Sequence, residues 1–134
     1  MDNSVPRPEK SILVAEDNPA LAIVVRFHLE RAGFKVTVAT DGAEAWELLQ
    51  AQAFDVVVTD QQMPGLSGAE LCQRMRQDPR WDDLPVVMLT AKGLEMELRW
   101  VRDELKVRNV LPKPFSLREL VETVENCLVP AAPR

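Results

Sequence analysis

An α/β domain, a parallel β-sheet covered by helices on both faces, is the fold class this sequence predicts, and three observations predict it. Short apolar runs recur at regular intervals along the 134 residues. The segments between them carry apolar residues three or four apart, the helical spacing. Helix start signals stand just ahead of those segments. Five strand and helix pairs in strict alternation call for right-handed crossovers, which place helices on both sides of the sheet.

The first run, residues 12–15, is followed by Asn18 and Pro19, an N-cap and a first helical position, and then by Leu21, Val24, Val25, Leu29 and Ala32. Gly33 supplies the stop. The second run, 36–39, precedes Asp41 and Glu44 at capping-box spacing and then Ala45, Leu48 and Leu49. The third, 56–59, leads to Ser67 and Glu70, again at that spacing, with Leu71 and Met75 beyond. The fourth, 86–89, is followed by Leu94, Leu98, Val101 and Leu105. A weaker fifth, 109–111, precedes Ser116, Glu119 and the clearest stripe: Leu117, Leu120, Val121, Val124 and Leu128. The first four runs are rich in Val and Ile and mostly unbroken, as strands buried on both faces are.

Length and balance bound the rest. A chain of 134 residues makes one domain, expected over 11–128, between an N-terminal tail (1–10) and a C-terminal tail or truncated linker (129–134). With 16 Lys+Arg against 21 Asp+Glu the net charge is −5, which disfavours direct attachment to nucleic acid. Cys72 and Cys127 lie far apart, outside any metal-ligand or Cys-x-x-Cys spacing, and predict reduced cytosolic thiols on helices. One histidine, His28, adds no metal site. No apolar run approaches the ~20 residues of a membrane span and the first ten residues are polar, so the expectation is a soluble, cytoplasmic protein without a membrane partner.

In open sheets of this kind ligands bind beyond the carboxyl ends of the strands, where strand order reverses. There the sequence sets Glu16 and Asp17 after strand one, Asp60 after strand three, Thr90 after strand four and Lys113 after strand five. With strand two, which offers Thr40 and Asp41, at an edge, the other four tips converge on one crevice. Three crowded carboxylates raise one another's pKa or recruit a cation, and an all-oxygen set suits Mg²⁺ or Mn²⁺. Mg²⁺ takes one or two carboxylates together with phosphate oxygens, which points to phosphoryl chemistry. Lys113 and Thr90 can hold phosphoryl oxygens, and Asp60 can act as the nucleophile that forms an aspartyl phosphate.

The pair Glu16-Asp17, the segment Thr59-Asp60-Gln61-Gln62-Met63-Pro64-Gly65-Leu66-Ser67-Gly68, then Leu89-Thr90-Ala91, then Lys113-Pro114-Phe115 together resemble the receiver domain of two-component response regulators. The spacings fit as well: 43 positions from Asp17 to Asp60, 30 on to Thr90 and 23 on to Lys113. The resemblance implies a flavodoxin-like sheet of order 2-1-3-4-5 with five helices. It also implies Mg²⁺ or Mn²⁺ held by Asp17 and Asp60, by Glu16 mostly through water, and by the Gln62 backbone carbonyl. Asp60 then accepts a phosphoryl group from a histidine kinase or histidine phosphotransfer protein. Thr90 turns toward that group, Ala91 leaves it room and Lys113 pairs with it. Gln62 and Lys92 stand where the family tunes hydrolysis, and the Lys113-Pro114 bond is expected to be cis. Such a chain is a signalling phosphoacceptor that promotes its own phosphorylation and dephosphorylation, not a metabolic enzyme. Its output is contact with a downstream protein or an attached output domain through helix four, strand five and helix five.

Two positions depart from the pattern. Val110 stands where receivers carry a switch aromatic, so aromatic switching is not available; the expectation is a weaker output or another rearrangement, such as the loop from Ala91 to Leu94. Gln61 replaces the usual apolar residue after the acceptor. Val110 also supports a second reading, a phosphorylation-independent receiver-like interaction module, against which the intact acidic pair, acceptor, threonine and lysine argue. A metabolic enzyme of this architecture is disfavoured: strand one is followed by Glu16-Asp17-Asn18 rather than Asp-x-Asp, and no glycine-rich phosphate loop occurs. Trp46 and Trp81 are expected in packing roles, and Trp100 is the candidate for a partner surface.

Overall fold

The computed structural model describes residues 9–91 and 99–129. Its elements alternate as β1 (Ser11–Ala15), α1 (Pro19–Arg31), β2 (Lys35–Ala39), α2 (Gly42–Ala51), β3 (Val56–Asp60), α3 (Gly68–Arg76), β4 (Val86–Ala91), α4 (Arg99–Glu104), β5 (Asn109–Lys113) and α5 (Leu117–Cys127). All strands pair in parallel, in the order β2-β1-β3-β4-β5. The chain thus reverses direction across the sheet between β1 and β3, and a crevice opens above their ends.

Period-two alternation sorts the strand residues into two cores. Leu13, Ala15, Val57 and Met88 face one way and pack with Ala45 and Leu49 of α2, Leu71 and Met75 of α3 and Val101 of α4. Ile12, Val14, Val58 and Leu89 face the other way, against Val25 and Leu29 of α1 and Leu120 and Val124 of α5. Every residue of β3 is buried, as the central strand of a doubly covered sheet must be. The edge strand β2 differs from its apolar reading over 36–39: Thr37 and Val38 are only half-buried, because one neighbour is missing. On the opposite edge, β5 accommodates Pro112, which has no N–H to donate.

Strands run one or two residues past their apolar segments, because pairing follows backbone register rather than hydropathy. β3 ends on Asp60, β4 continues through Thr90 and Ala91, and Ala91 pairs with Lys113. The first helix also corrects its predicted stripe. The row i, i+4, i+8 through Leu21, Val25 and Leu29 meets the core, whereas Val24, about 100° round the helix, is 40% exposed and Ala32 is on the surface. Leu94 and Leu98 lie outside the described residues.

The caps form largely as the sequence implies. Asn18 accepts from the N–H groups of Ala20 and Leu21, and Gly33 takes φ 102° after the α1 cap. Among the described residues only Ser67 and Glu70 make both arms of a capping box; Glu44 turns instead to the backbone and hydroxyl of Thr40. Trp46 and Trp81 pack edge to face at 5.1 Å, in the packing role expected. Trp100 remains 46% exposed on α4.

Both cysteines are buried and unpaired. Burial pushes the Cys72 thiol up, only partly offset by the Arg76 charge, and burial does the same for Cys127. Folded protein is therefore expected to resist alkylation near neutral pH, with the rate rising only at a pH above that of a free cysteine. Intact mass after iodoacetamide should show no adduct in buffer and two in urea. An adduct in buffer as fast as in urea would refute the buried placement.

Candidate functional site

The crevice is built from strand ends. Glu16 follows β1, its backbone N–H held by the Ala39 carbonyl at 3.0 Å, and the residue is 2% exposed. One carboxylate oxygen accepts from the Asn18 N–H at 3.1 Å, which folds the acidic pair back over the start of α1. Asp17 is exposed at the crevice mouth. Asp60 closes β3 at 5% exposure. Oxygens of Glu16, Asp17 and Asp60 lie within 4.8 Å of one another.

Lys113 reaches in from the end of β5. Its Nζ donates to Asp60 Oδ2 at 3.0 Å and stands 3.5 Å from Glu16 Oε1, an ion-pair distance too long for a hydrogen bond. That oxygen consequently has no hydrogen-bond partner among the described residues, and neither has the fully buried Thr90 Oγ1. Such orphaned atoms are uncommon, because a buried polar group without a partner costs free energy.

The electrostatics follow from the placement. Burial raises the Glu16 carboxyl above its ordinary range, helped by the charges of Asp60 and Asp17 and opposed by the Asn18 N–H and Lys113. Burial alone would pull the Lys113 ammonium down, but its hydrogen bond to Asp60 and the two neighbouring carboxylates outweigh that and raise it. Three carboxylates against one described ammonium leave the crevice negative. The clustered oxygens, one of them buried and without a hydrogen-bond partner among the described residues, suit a hard divalent cation.

The sequence-derived residues thus meet in one place: Glu16, Asp17, Asp60, Thr90 and Lys113, with half-buried Ala91 beside them at the end of β4. Gln62 is exposed in the loop after β3. The Lys113–Pro114 peptide is cis. Val110 is not in the crevice; it is half-buried, opposite Met88, on the side of the sheet covered by α2, α3 and α4. Lys92 and the loop from Ala91 to Leu94, beyond Ala91 itself, lie outside the described residues.

Two contacts of the site were not read from the sequence. Gly68 starts α3 so close to the acceptor strand that a Cβ there would lie 2.6 Å from the Asp60 carbonyl oxygen and 3.1 Å from Gln61 Cα. Gly68→Ala must therefore push α3 off the end of β3. We expect urea unfolding to show a loss of about 1–3 kcal/mol; an unchanged midpoint would mean the contact is slack. The second is made by Gln61, whose side-chain oxygen accepts from the Ala69 N–H at 2.8 Å. A polar residue directly after a strand and seven positions before a helix start was the available signal.

A family model for the response regulator receiver domain matches residues 12–125. Among curated proteins, the chain is 41% identical over 126 residues to the phosphate regulon transcriptional regulatory protein PhoB of Rhizobium meliloti, covering 91% of this chain and 53% of that protein. It is 35% identical over 119 residues to the alkaline phosphatase synthesis transcriptional regulatory protein PhoP of Bacillus subtilis, covering 89% and 48%. The chain spans about half the length of these relatives. Among solved structures, a putative response regulator from Chloroflexus aurantiacus superposes with TM-score 0.84 at 33% identity, over 90% of this chain and 98% of the other. The chemotaxis response regulator CheY4 of Vibrio cholerae gives 0.83 at 27%, over 90% and 100%.

Proposed function

The chain belongs to the response regulator receiver domain family, and from that premise we propose that residues 11–128 form a receiver that accepts a phosphoryl group on Asp60 from a histidine kinase or histidine phosphotransfer protein. The observation that carries this reading is the convergence of Asp60, Glu16, Asp17, Thr90 and Lys113, from the ends of four strands, on one crevice. That complete set favours phosphoacceptor chemistry over the phosphorylation-independent module.

In the transfer, a carboxylate oxygen of Asp60 forms a P–O bond as the P–N bond to the donor imidazole breaks. The electron pair of that bond returns to the ring, which leaves neutral when its other nitrogen already carries a proton. Asp17, Asp60, the Gln62 carbonyl and, mostly through water, Glu16 would hold Mg²⁺ or Mn²⁺, which would supply charge neutralisation for the phosphoryl oxygens. Lys113, already 3.0 Å from Asp60, pairs with one of those oxygens. Thr90 offers a hydroxyl that has no partner among the described residues and is therefore free to turn toward the phosphoryl group. Ala91 leaves that group space, and Gln62 and Lys92 steer the water that later hydrolyses the aspartyl phosphate. The receiver in this way promotes its own phosphorylation and dephosphorylation.

Output passes to a downstream protein or an attached output domain through the face of α4, β5 and α5, and with Val110 in β5 it proceeds without an aromatic switch. No helix among the described residues is long and apolar enough to cross a membrane. The test is intact mass after incubation with a small acyl phosphate, with Mg²⁺ and with chelator. One phosphoryl gain that requires the metal supports the reading; none, from folded protein, favours the interaction module.

A further inference from the structure

Gln61 is the residue whose chemistry the site leaves unexplained. Its backbone N–H donates to the Leu89 carbonyl at 2.8 Å, which ties the end of β3 to β4. Its carbonyl accepts from the Gly68 N–H at 3.0 Å, and its side-chain oxygen accepts from the Ala69 N–H at 2.8 Å. Since Ala69 N–H is a donor, the partner must be the amide oxygen of Gln61.

The start of α3 thereby has its first three N–H groups satisfied, the first two by Gln61 and the third by Ser67 Oγ. Ser67 and Glu70 cap the helix from within; Gln61 ties its first turn by hydrogen bonds to the end of the strand that carries Asp60. The joint has no slack, because Gly68 is packed against the Asp60 carbonyl. Ala69 is 5% exposed, so an apolar residue at 61 would leave its N–H without a partner and favour opening of the loop.

We propose that Gln61 is a positioning residue, which, through its bond to Ala69, locks the loop from Asp60 to α3 and so orients the Asp60 carboxylate and the Gln62 main chain for metal binding and phosphoryl transfer. This rests on the phosphoacceptor reading. The residue touches neither metal nor phosphoryl group and acts only through its neighbours.

The test uses the full chain as wild type, Gln61→Met (similar in size, without a strong acceptor), Gln61→Glu (acceptor kept) and Ser67→Ala (a cap lost elsewhere on the same helix). Mg²⁺ affinity is read from amide chemical shifts, phosphoryl gain from intact mass, fold stability from urea and the Ala69 bond from amide exchange. Gln61→Met is expected to lose Ala69 protection and to bind Mg²⁺ about tenfold more weakly, the usual scale for a group that orients a ligand. Gln61→Glu should keep Ala69 protected and bind Mg²⁺ at least as well as wild type. Ser67→Ala should lose stability with no change in Mg²⁺ affinity. Wild-type affinity in Gln61→Met with Ala69 unprotected, or equal weakening in Ser67→Ala, would overturn the proposal. Should Gln61→Met not fold, Gln61→Asn, one methylene too short to reach Ala69, carries the same expectation. A wild-type chain that binds Mg²⁺ but gains no phosphoryl mass overturns the phosphoacceptor reading, and the transfer role with it, in its own arm.

Discussion

Asp60→Asn is expected to gain no phosphoryl mass from an acyl phosphate at any Mg²⁺ concentration, while remaining folded. The neutral amide lacks the charge that makes a carboxylate oxygen nucleophilic toward phosphorus, and removing a nucleophile outright can cost on the order of 10⁶-fold in rate. No neighbour substitutes well. Thr90 is fully buried and lacks a base, since its Oγ1 has no partner among the described residues. Glu16 is 2% exposed and has one oxygen engaged by the Asn18 N–H. Asp17 is exposed, but Lys113 does not pair with it and instead donates to Asp60 at 3.0 Å. Intact mass beside wild type decides the matter. A phosphoryl adduct that persists in Asp60→Asn, mapped to Asp17 by peptide mass, would move the acceptor to the crevice mouth.

Much of this site was legible in the sequence because its chemistry depends on residue type and chain order together. A strand end fixes where Glu16, Asp60, Thr90 and Lys113 stand, and parallel pairing then brings those ends to one level of the sheet. Strand order had to be taken from resemblance, since alternation of elements does not say which strands are neighbours. The edge character of β2 was similarly conditional: its apolar run reads like that of β3, and only the missing neighbour exposes it. Val24 was misplaced because hydropathy does not distinguish a residue on the core row of α1 from one a quarter-turn away. The joint between Asp60 and α3 escaped for a different reason. The tightness at Gly68 is a contact between backbones, and the Gln61 bond spans eight positions of loop. Neither follows a periodic rule, so each becomes visible only when the loop path is known. Such departures from local pattern are expected where a site constrains its surroundings.

Asp17→Asn tests the metal side of the crevice through a reversal of stability order. In chelator the variant should unfold at a higher urea concentration than wild type, because it removes one of three crowded charges and eases the cost of holding Glu16 ionised. Wild type meets that cost in part through Lys113, whose ammonium is shared between Asp60 and Glu16. Adding Mg²⁺ favours the fold by mass action, about 2.7 kcal/mol at a hundred times its dissociation constant. The same concentration should stabilise Asp17→Asn far less, since the exposed carboxylate that would ligate the ion directly is gone. Wild type is therefore the less stable protein without metal and the more stable one with it. Urea midpoints for both chains, in chelator and across an Mg²⁺ series, measure this crossing. A variant that starts below wild type would show that Asp17 repels nothing of consequence. A variant that gains as much from Mg²⁺ as wild type would leave Glu16 and Asp60, the two buried carboxylates, to hold the ion between them.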